Sequence, residues 1–171
     1  LSRVDLKEHK VTATIPYGPA NSEGGLVASK DSLWMLTDGG TTLMRIDPTS
    51  NRPVATLRMP DGSYVAVLGE DQAIWVVSTE TSQVLRVDPL TNLVTDRVAV
   101  GPRPRFTTAG AGAIWTLNQG DGTVTRIDVK TRKPITTIDI GAPGGGGEIA
   151  FGEGAIWITL FVALVAGGCK S

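Results

Sequence analysis

Residues Gly110–Lys133 read GAGAIWTLNQGDGTVTRIDVKTRK. A small-residue turn leads into an apolar run ending Ala113-Ile114-Trp115. A polar turn follows, then Val124-Thr125-Arg126-Ile127-Asp128, then a charged turn. The same text recurs in whole or in part along the chain. The four tryptophans are Trp34, Trp75, Trp115 and Trp157, at steps of 41, 40 and 42, each after Leu or Ile. A second marker, Arg-Ile/Val-Asp, ends at Asp5, Asp47, Asp88 and Asp128, at steps of 42, 41 and 40. Two independent markers holding one period mean an internal repeat. A period near ~40 residues with four short β-like runs per unit predicts an all-β fold, a β-propeller of four-stranded blades.

Working outward, residues 1–19 predict a half-blade supplying third and fourth strands. Residues 20–60, 61–101 and 102–141 predict three full blades, and 142–160 a half-blade supplying first and second strands. The Arg-Ile-Asp text is missing after Trp157, so 161–171 are expected to form an aberrant tail. The complementary halves allow closure into four blades. The preferred expectation is part of a larger ring of about six to eight blades, with open edges prone to self-association. The turns Asp47-Pro48-Thr49-Ser50-Asn51 and Asp88-Pro89-Leu90-Thr91-Asn92 carry residues that fold back on their own backbone.

The composition is 41% hydrophobic and 19% charged with a net charge of −1. That balance leaves no electrostatic footprint for nucleic acid. No apolar run approaches the ~20 residues of a membrane span. With one cysteine, Cys169, no disulfide within the chain is possible. No signal-like segment stands at the start of the sequence. The glycine run Gly144–Gly147 reads as a blade crossing, because neither a helix pattern nor Gly-Lys-Ser/Thr follows it.

The repeated tryptophans, Trp34, Trp75, Trp115 and Trp157, are expected to pack between neighbouring blades, since each blade buries its face against the next. The Asp of each triplet is expected to open the hairpin turn. Function in propellers concentrates where repeats differ, at loops around one end of the axis. The crossing loops carry Glu23, Tyr64, Arg103, Arg105 and Glu148, and the loops after the Trp strands carry Asp38, Glu80, Asn118-Gln119 and Asp121. Carboxylates and arginines around one mouth would suit a polar ligand or a cation held through oxygens. Nothing has transition-metal spacing, so no metal ligand is assigned. His9, the one histidine, falls in an outer hairpin turn, away from the axis. No catalytic residue is therefore assigned.

The texts GAIWTLNQGDGTVTRIDVKT and EDQAIWVVSTETSQVLRVDPLTN resemble blades of bacterial YVTN-type and streptogramin-lyase-like (virginiamycin B lyase-like) propeller proteins. The resemblance covers residues 1 to about 161. It implies a binding or scaffold protein taking a small polar ligand or a protein partner at the axial loops. It also implies a rival reading: part of a lyase that opens a cyclic peptide or lactone, with its histidine base and Mg²⁺ site in blades outside this sequence. No cofactor is expected otherwise. The resemblance further suggests a periplasmic or extracellular location.

Overall fold

The computed structural model describes residues 1–21, 23 and 25–160. They form sixteen β-strands and one short 3₁₀ turn, Asp38–Gly40. The first two strands, β1 (Ser2–Asp5) and β2 (Lys10–Thr14), make a two-stranded sheet. Three four-stranded antiparallel sheets follow in sequence order. They are β3 (Leu26–Ser29), β4 (Ser32–Thr37), β5 (Thr42–Asp47) and β6 (Arg52–Arg58); then β7 (Ser63–Leu68), β8 (Ile74–Ser78), β9 (Gln83–Asp88) and β10 (Leu93–Ala99); then β11 (Pro104–Gly110), β12 (Ala113–Asn118), β13 (Thr123–Asp128) and β14 (Lys133–Asp139). The last two strands, β15 (Ile149–Gly152) and β16 (Ala155–Ile158), pair only with each other. This is the meander of propeller blades. The strands β3, β7, β11 and β15 stand next to one another as the inner strands. The two half-sheets remain separate, so the described residues form an open arc and not a four-bladed ring. The tail expected at 161–171 lies outside the described residues.

One local device repeats in every outer hairpin. Asp5, Asp47, Asp88 and Asp128 each accept hydrogen bonds from backbone N–H groups two or three residues on. The residue four places after each Asp, His9, Asn51, Asn92 or Arg132, takes a left-handed backbone at φ 53, 57, 56 and 58°. Its N–H closes the turn on the Asp carbonyl. A short polar side chain both satisfies the turn and tolerates its geometry, which is why Asp and Asn bracket it. These bonds favour the charged carboxylates. Asp5, Asp47 and Asp128 are held below their ordinary value, chiefly by the Glu8 N–H, the Ser50 hydroxyl and the Thr131 N–H respectively.

The blades are joined by burial and by arginine. Trp34, fully buried, packs with Leu36 and Leu43 of its own blade against Ile74, Val76 and Leu85 of the next. Trp75 is likewise fully buried, against Ile114 and Ile127. Trp115 is half-buried beside Ile156 and Ile158. Trp157 is 62% exposed, because among the described residues no further blade covers it. Each indole Nε1 donates to a group in its own β-turn: Ser29 Oγ, Asp71 Oδ1, the Gly110 carbonyl or the Gly152 carbonyl. Opposite each full-blade tryptophan sits the triplet arginine: Trp34 faces Arg45, Trp75 faces Arg86, and Trp115 faces Arg126. Arg45 donates from Nε to Ser32 Oγ at 2.7 Å and from Nη1 to the Pro89 carbonyl at 2.7 Å and Asn92 Oδ1 at 3.0 Å. It thus clamps one blade to the hairpin of the next. Arg3 does the same to the Pro48 carbonyl at 3.0 Å.

Candidate functional site

Because the inner strands line up side by side, residues one repeat apart occupy equivalent places around the axis. Glu23 precedes β3, Tyr64 lies near the start of β7 and Arg105 near the start of β11. They are 41 residues apart in turn and they touch. The Tyr64 hydroxyl donates to Glu23 Oε2 at 2.6 Å. Arg105 Nη2 donates to Glu23 Oε1 at 3.0 Å and to the Tyr64 hydroxyl oxygen. The Arg105 guanidinium also lies over the Tyr64 ring at 4.6 Å and the Phe106 ring at 5.5 Å. Phe106 meets Tyr64 edge to face at 6.0 Å between centroids. Asn21 Nδ2 donates to the Tyr64 carbonyl at 3.1 Å, tying the crossing loop down. Burial raises the Tyr64 phenol above its ordinary value, and the bond to Glu23 adds to this while Arg105 opposes it. Tyr64 therefore stays protonated at neutral pH and acts as a donor to the carboxylate.

The network forms one wall of a cavity of about 630 Å³. Glu23, Arg105 and Phe106 line that wall. Gln119, Gly146, Gly147, Glu148, Thr159 and Leu160 complete the lining. Gly147 has to be glycine: a β-carbon there would run into the Thr159 carbonyl. The glycine run thus brings backbone against the rim, where the sequence had suggested only a crossing. The Gly144 N–H donates to the Gln119 carbonyl at 2.6 Å, anchoring the loop to the end of β12. Glu148 is exposed and its carboxylate makes no ion pair among the described residues. Gln119 is only 7% exposed, and its Nε2 has no hydrogen-bond partner among the described residues. Arg105 Nε is in the same position. The mouth so combines one neutralised Glu–Arg pair, one carboxylate outside any ion pair and an apolar patch from Phe106 and Leu160.

Of the residues selected from sequence, Glu23, Tyr64 and Arg105 come into direct contact, and Glu148 joins them at the cavity. The others lie at the same end of the blades but outside the cavity lining. Asp38 sits in the 3₁₀ turn, accepting from Thr37 Oγ1 at 3.1 Å. Asp121 accepts from Thr123 Oγ1 at 2.8 Å within its own turn. Asn118 is fully buried and donates to Thr123 Oγ1 and Thr125 Oγ1, which makes it a strand-end latch. Arg103 supplies its carbonyl to the Gln119 N–H and has a left-handed backbone at φ 50°. Phe106 was not among the selected residues, and Gln119 entered only as the neighbour of Asn118. No group of three or more His, Cys, Asp or Glu side chains is gathered among the described residues. The carboxylates at the mouth are Glu23, already engaged, and Glu148. No helix among them is long and apolar enough to cross a membrane.

No family model matches the chain, and no curated protein matches it. Solved structures do. A catalytically inactive histidine-to-alanine variant of virginiamycin B lyase from Staphylococcus aureus with quinupristin superposes with a TM-score of 0.74 at 20% identity, covering 93% of this chain and 55% of that one. The fold is that of the lyase-type β-propellers. A streptogramin B lyase matches with a TM-score of 0.70 at 20% identity, over 90% of this chain and 53% of that one. Apo AztD from Citrobacter koseri matches with a TM-score of 0.62 at 19% identity, over 80% of this chain and 40% of that one. The chain spans between 40% and 55% of the length of these structures.

Proposed function

We propose that this chain is a non-catalytic binding protein that takes a small polar ligand at the mouth of its inner strands. The observation that carries the reading is the Glu23–Tyr64–Arg105 network, built from three successive blades around one cavity. Its charge balance indicates the ligand chemistry. Arg105 is neutralised by Glu23, so the carboxylate of Glu148 leaves the mouth with one negative charge in excess. An arylalkyl ammonium matches this lining: charge to Glu148 and ring against Phe106 and Leu160. By the same family resemblance the protein belongs in the periplasm or outside the cell.

Tyramine is a suitable probe. Titrated into isotopically labelled protein, it should produce saturable chemical-shift changes at Tyr64, Arg105, Phe106, Gln119 and Glu148. Shifts scattered over the surface without saturation would refute the mouth as the binding place. The likeness to virginiamycin B lyase supports the rival reading, that this sequence is part of a Mg²⁺-dependent lyase acting on a cyclic peptide or lactone. Because it places the histidine base and the Mg²⁺ site in further blades, incubation of a chain that carries those blades with quinupristin and Mg²⁺ tests it by mass spectrometry. The binding reading expects the intact ring, and a ring-opened product would replace it with the lyase.

A further inference from the structure

We propose that the cavity between the first two four-stranded blades, at the end of the strands opposite the Glu23–Tyr64–Arg105 network, is a second ligand site. Its ligand is a small zwitterion, an α-amino acid with an apolar side chain.

Strand β3 runs away from Glu23 to the Lys30–Asp31 turn, so that turn lies at the far end of its blade. The β7–β8 turn, residues 69–73, lies at the same end of the next blade. A cavity of about 440 Å³ opens between them. Small-molecule sites run from about 300 to 1,000 Å³. One wall is the β3–β4 turn with Arg45. The other is Asp71, Arg86 and the hairpin at Asp88, Pro89 and Leu90.

This junction departs from the repeat, and function concentrates at such departures. Two residues separate β3 from β4 and β11 from β12, but five separate β7 from β8. The longer turn brings Asp71 onto Arg86 Nε at 2.7 Å and Trp75 Nε1 at 3.1 Å. At the next junction side chains take up the corresponding ground. Val129, in the place of Pro89, is buried with Ala73 and Trp75. Glu70 Oε2 accepts from the Gly112 N–H at 3.1 Å. At the first junction Pro89 is only half-buried, and Leu90, where the next hairpin has Lys130, is 89% exposed.

Six ionisable side chains line the cavity, three of each sign: Lys30, Arg45 and Arg86 against Asp31, Asp71 and Asp88. Arg86 and Asp71 pair with each other, and both are largely buried. Asp88 Oδ1 is turned to the Leu90 N–H at 2.8 Å. Lys30, Arg45 and Asp31 are in no ion pair among the described residues. Arg45 is the anchoring cation. Its Nε and Nη1 are fixed on Ser32 Oγ, the Pro89 carbonyl and Asn92 Oδ1, and its face lies over Trp34 at 5.3 Å. All of these partners are neutral. A guanidinium held in place this way takes a carboxylate through its remaining nitrogen with little further loss of freedom. Asp31 offers charge for an ammonium, and Pro89 with Leu90 offers an apolar wall. A lining that is neutral in sum but carries both signs favours a ligand that carries both.

Isothermal titration calorimetry of L-leucine, 4-methylpentanoate and 3-methylbutylamine tests this on the full chain. The two analogues each lack one of leucine's charges. Leucine should bind saturably at one site, and each analogue about tenfold more weakly. Asp31→Asn, at an exposed turn position, should weaken leucine by about tenfold and leave 4-methylpentanoate unchanged. Leu90→Lys, which copies the residue of the next hairpin, should weaken leucine and 4-methylpentanoate together. An unchanged circular dichroism spectrum establishes that both variants are folded. Excess tyramine, directed to the mouth at the other end, should leave leucine binding as it was. No saturable leucine binding would overturn the proposal. So would equal affinity for the three probes, leucine binding untouched by both variants, or displacement of leucine by tyramine.

Discussion

Replacing one tryptophan at a time gives a direct reading of how much each blade leans on its neighbour. Trp75 is fully buried and packs against Ile114 and Ile127 of the following blade, with its Nε1 on Asp71 Oδ1 at 3.1 Å. Truncation of such a side chain to alanine costs about 3–5 kcal/mol, the lost transfer energy plus the cavity left behind. Asp71 still pairs with Arg86 at 2.7 Å, so no buried charge is stranded and the cost stays in that range. Trp157 occupies the same place in the repeat, yet 62% of it faces solvent. A buried aromatic removes roughly 150–250 Å² from water. With about two-fifths of that covered, at about 25 cal/mol per Å², Trp157→Ala costs about 1.5–2.5 kcal/mol. Urea unfolding followed by far-ultraviolet circular dichroism, at a protein concentration where the chain is monomeric, measures both. Trp75→Ala should be the more damaging by about 1.5–2.5 kcal/mol, on the same two estimates. Equal costs would show that the tryptophans stabilise their own blade alone, and the reasoning about packing between blades would fail.

Arg45→Lys should cost about 1–2 kcal/mol in the same experiment, since lysine cannot hold Ser32, the Pro89 carbonyl and the Trp34 face together. Gly40→Ala should destabilise by more than the ~1 kcal/mol expected for a left-handed residue alone, because a β-carbon at φ 87° would meet the Ser63 carbonyl; Gly112→Ala, with φ 69° and open space around it, is the control. The depressed carboxylates of Asp5, Asp47 and Asp128 contribute stability that is present above the ordinary value of 3.8 and lost as pH falls through their folded-state values. The melting temperature should therefore drop more steeply below pH 3.8 in the parent chain than in a variant with all three changed to Asn.

Most of the architecture was readable because the repeat states it twice, once in tryptophan and once in Arg-x-Asp. Each marker has a physical job, one filling the gap between blades and the other closing a turn and, at Arg3 and Arg45, clamping the next hairpin. The mouth was partly readable for the same reason. Glu23, Tyr64 and Arg105 are separated by one period, and residues one period apart in inner strands must face each other around the axis. Asp38, Asn118 and Asp121 share that end of the blades, but their side chains are spent on their own turns and strand ends, which charge and loop position do not reveal. Phe106 escaped selection because an apolar residue in a strand looks like core. Gln119 stood beside Asn118 in the same loop, and only the fold shows that the first lines the cavity while the second is locked between strands. The openness of the arc depends on whether β1–β2 and β15–β16 meet, and complementary halves in a sequence are equally compatible with either outcome.

The polar mouth is tested most directly by isothermal titration calorimetry of tyramine and its carboxylate counterpart, 4-hydroxyphenylacetate, against the parent chain and Glu148→Gln. The parent should bind tyramine in preference to the carboxylate. Glu148→Gln should weaken tyramine by about tenfold, roughly 1.4 kcal/mol, and narrow the preference. Equal affinity of the parent for both probes, or no change on removing the Glu148 charge, would contradict a mouth built to hold a polar cationic ligand.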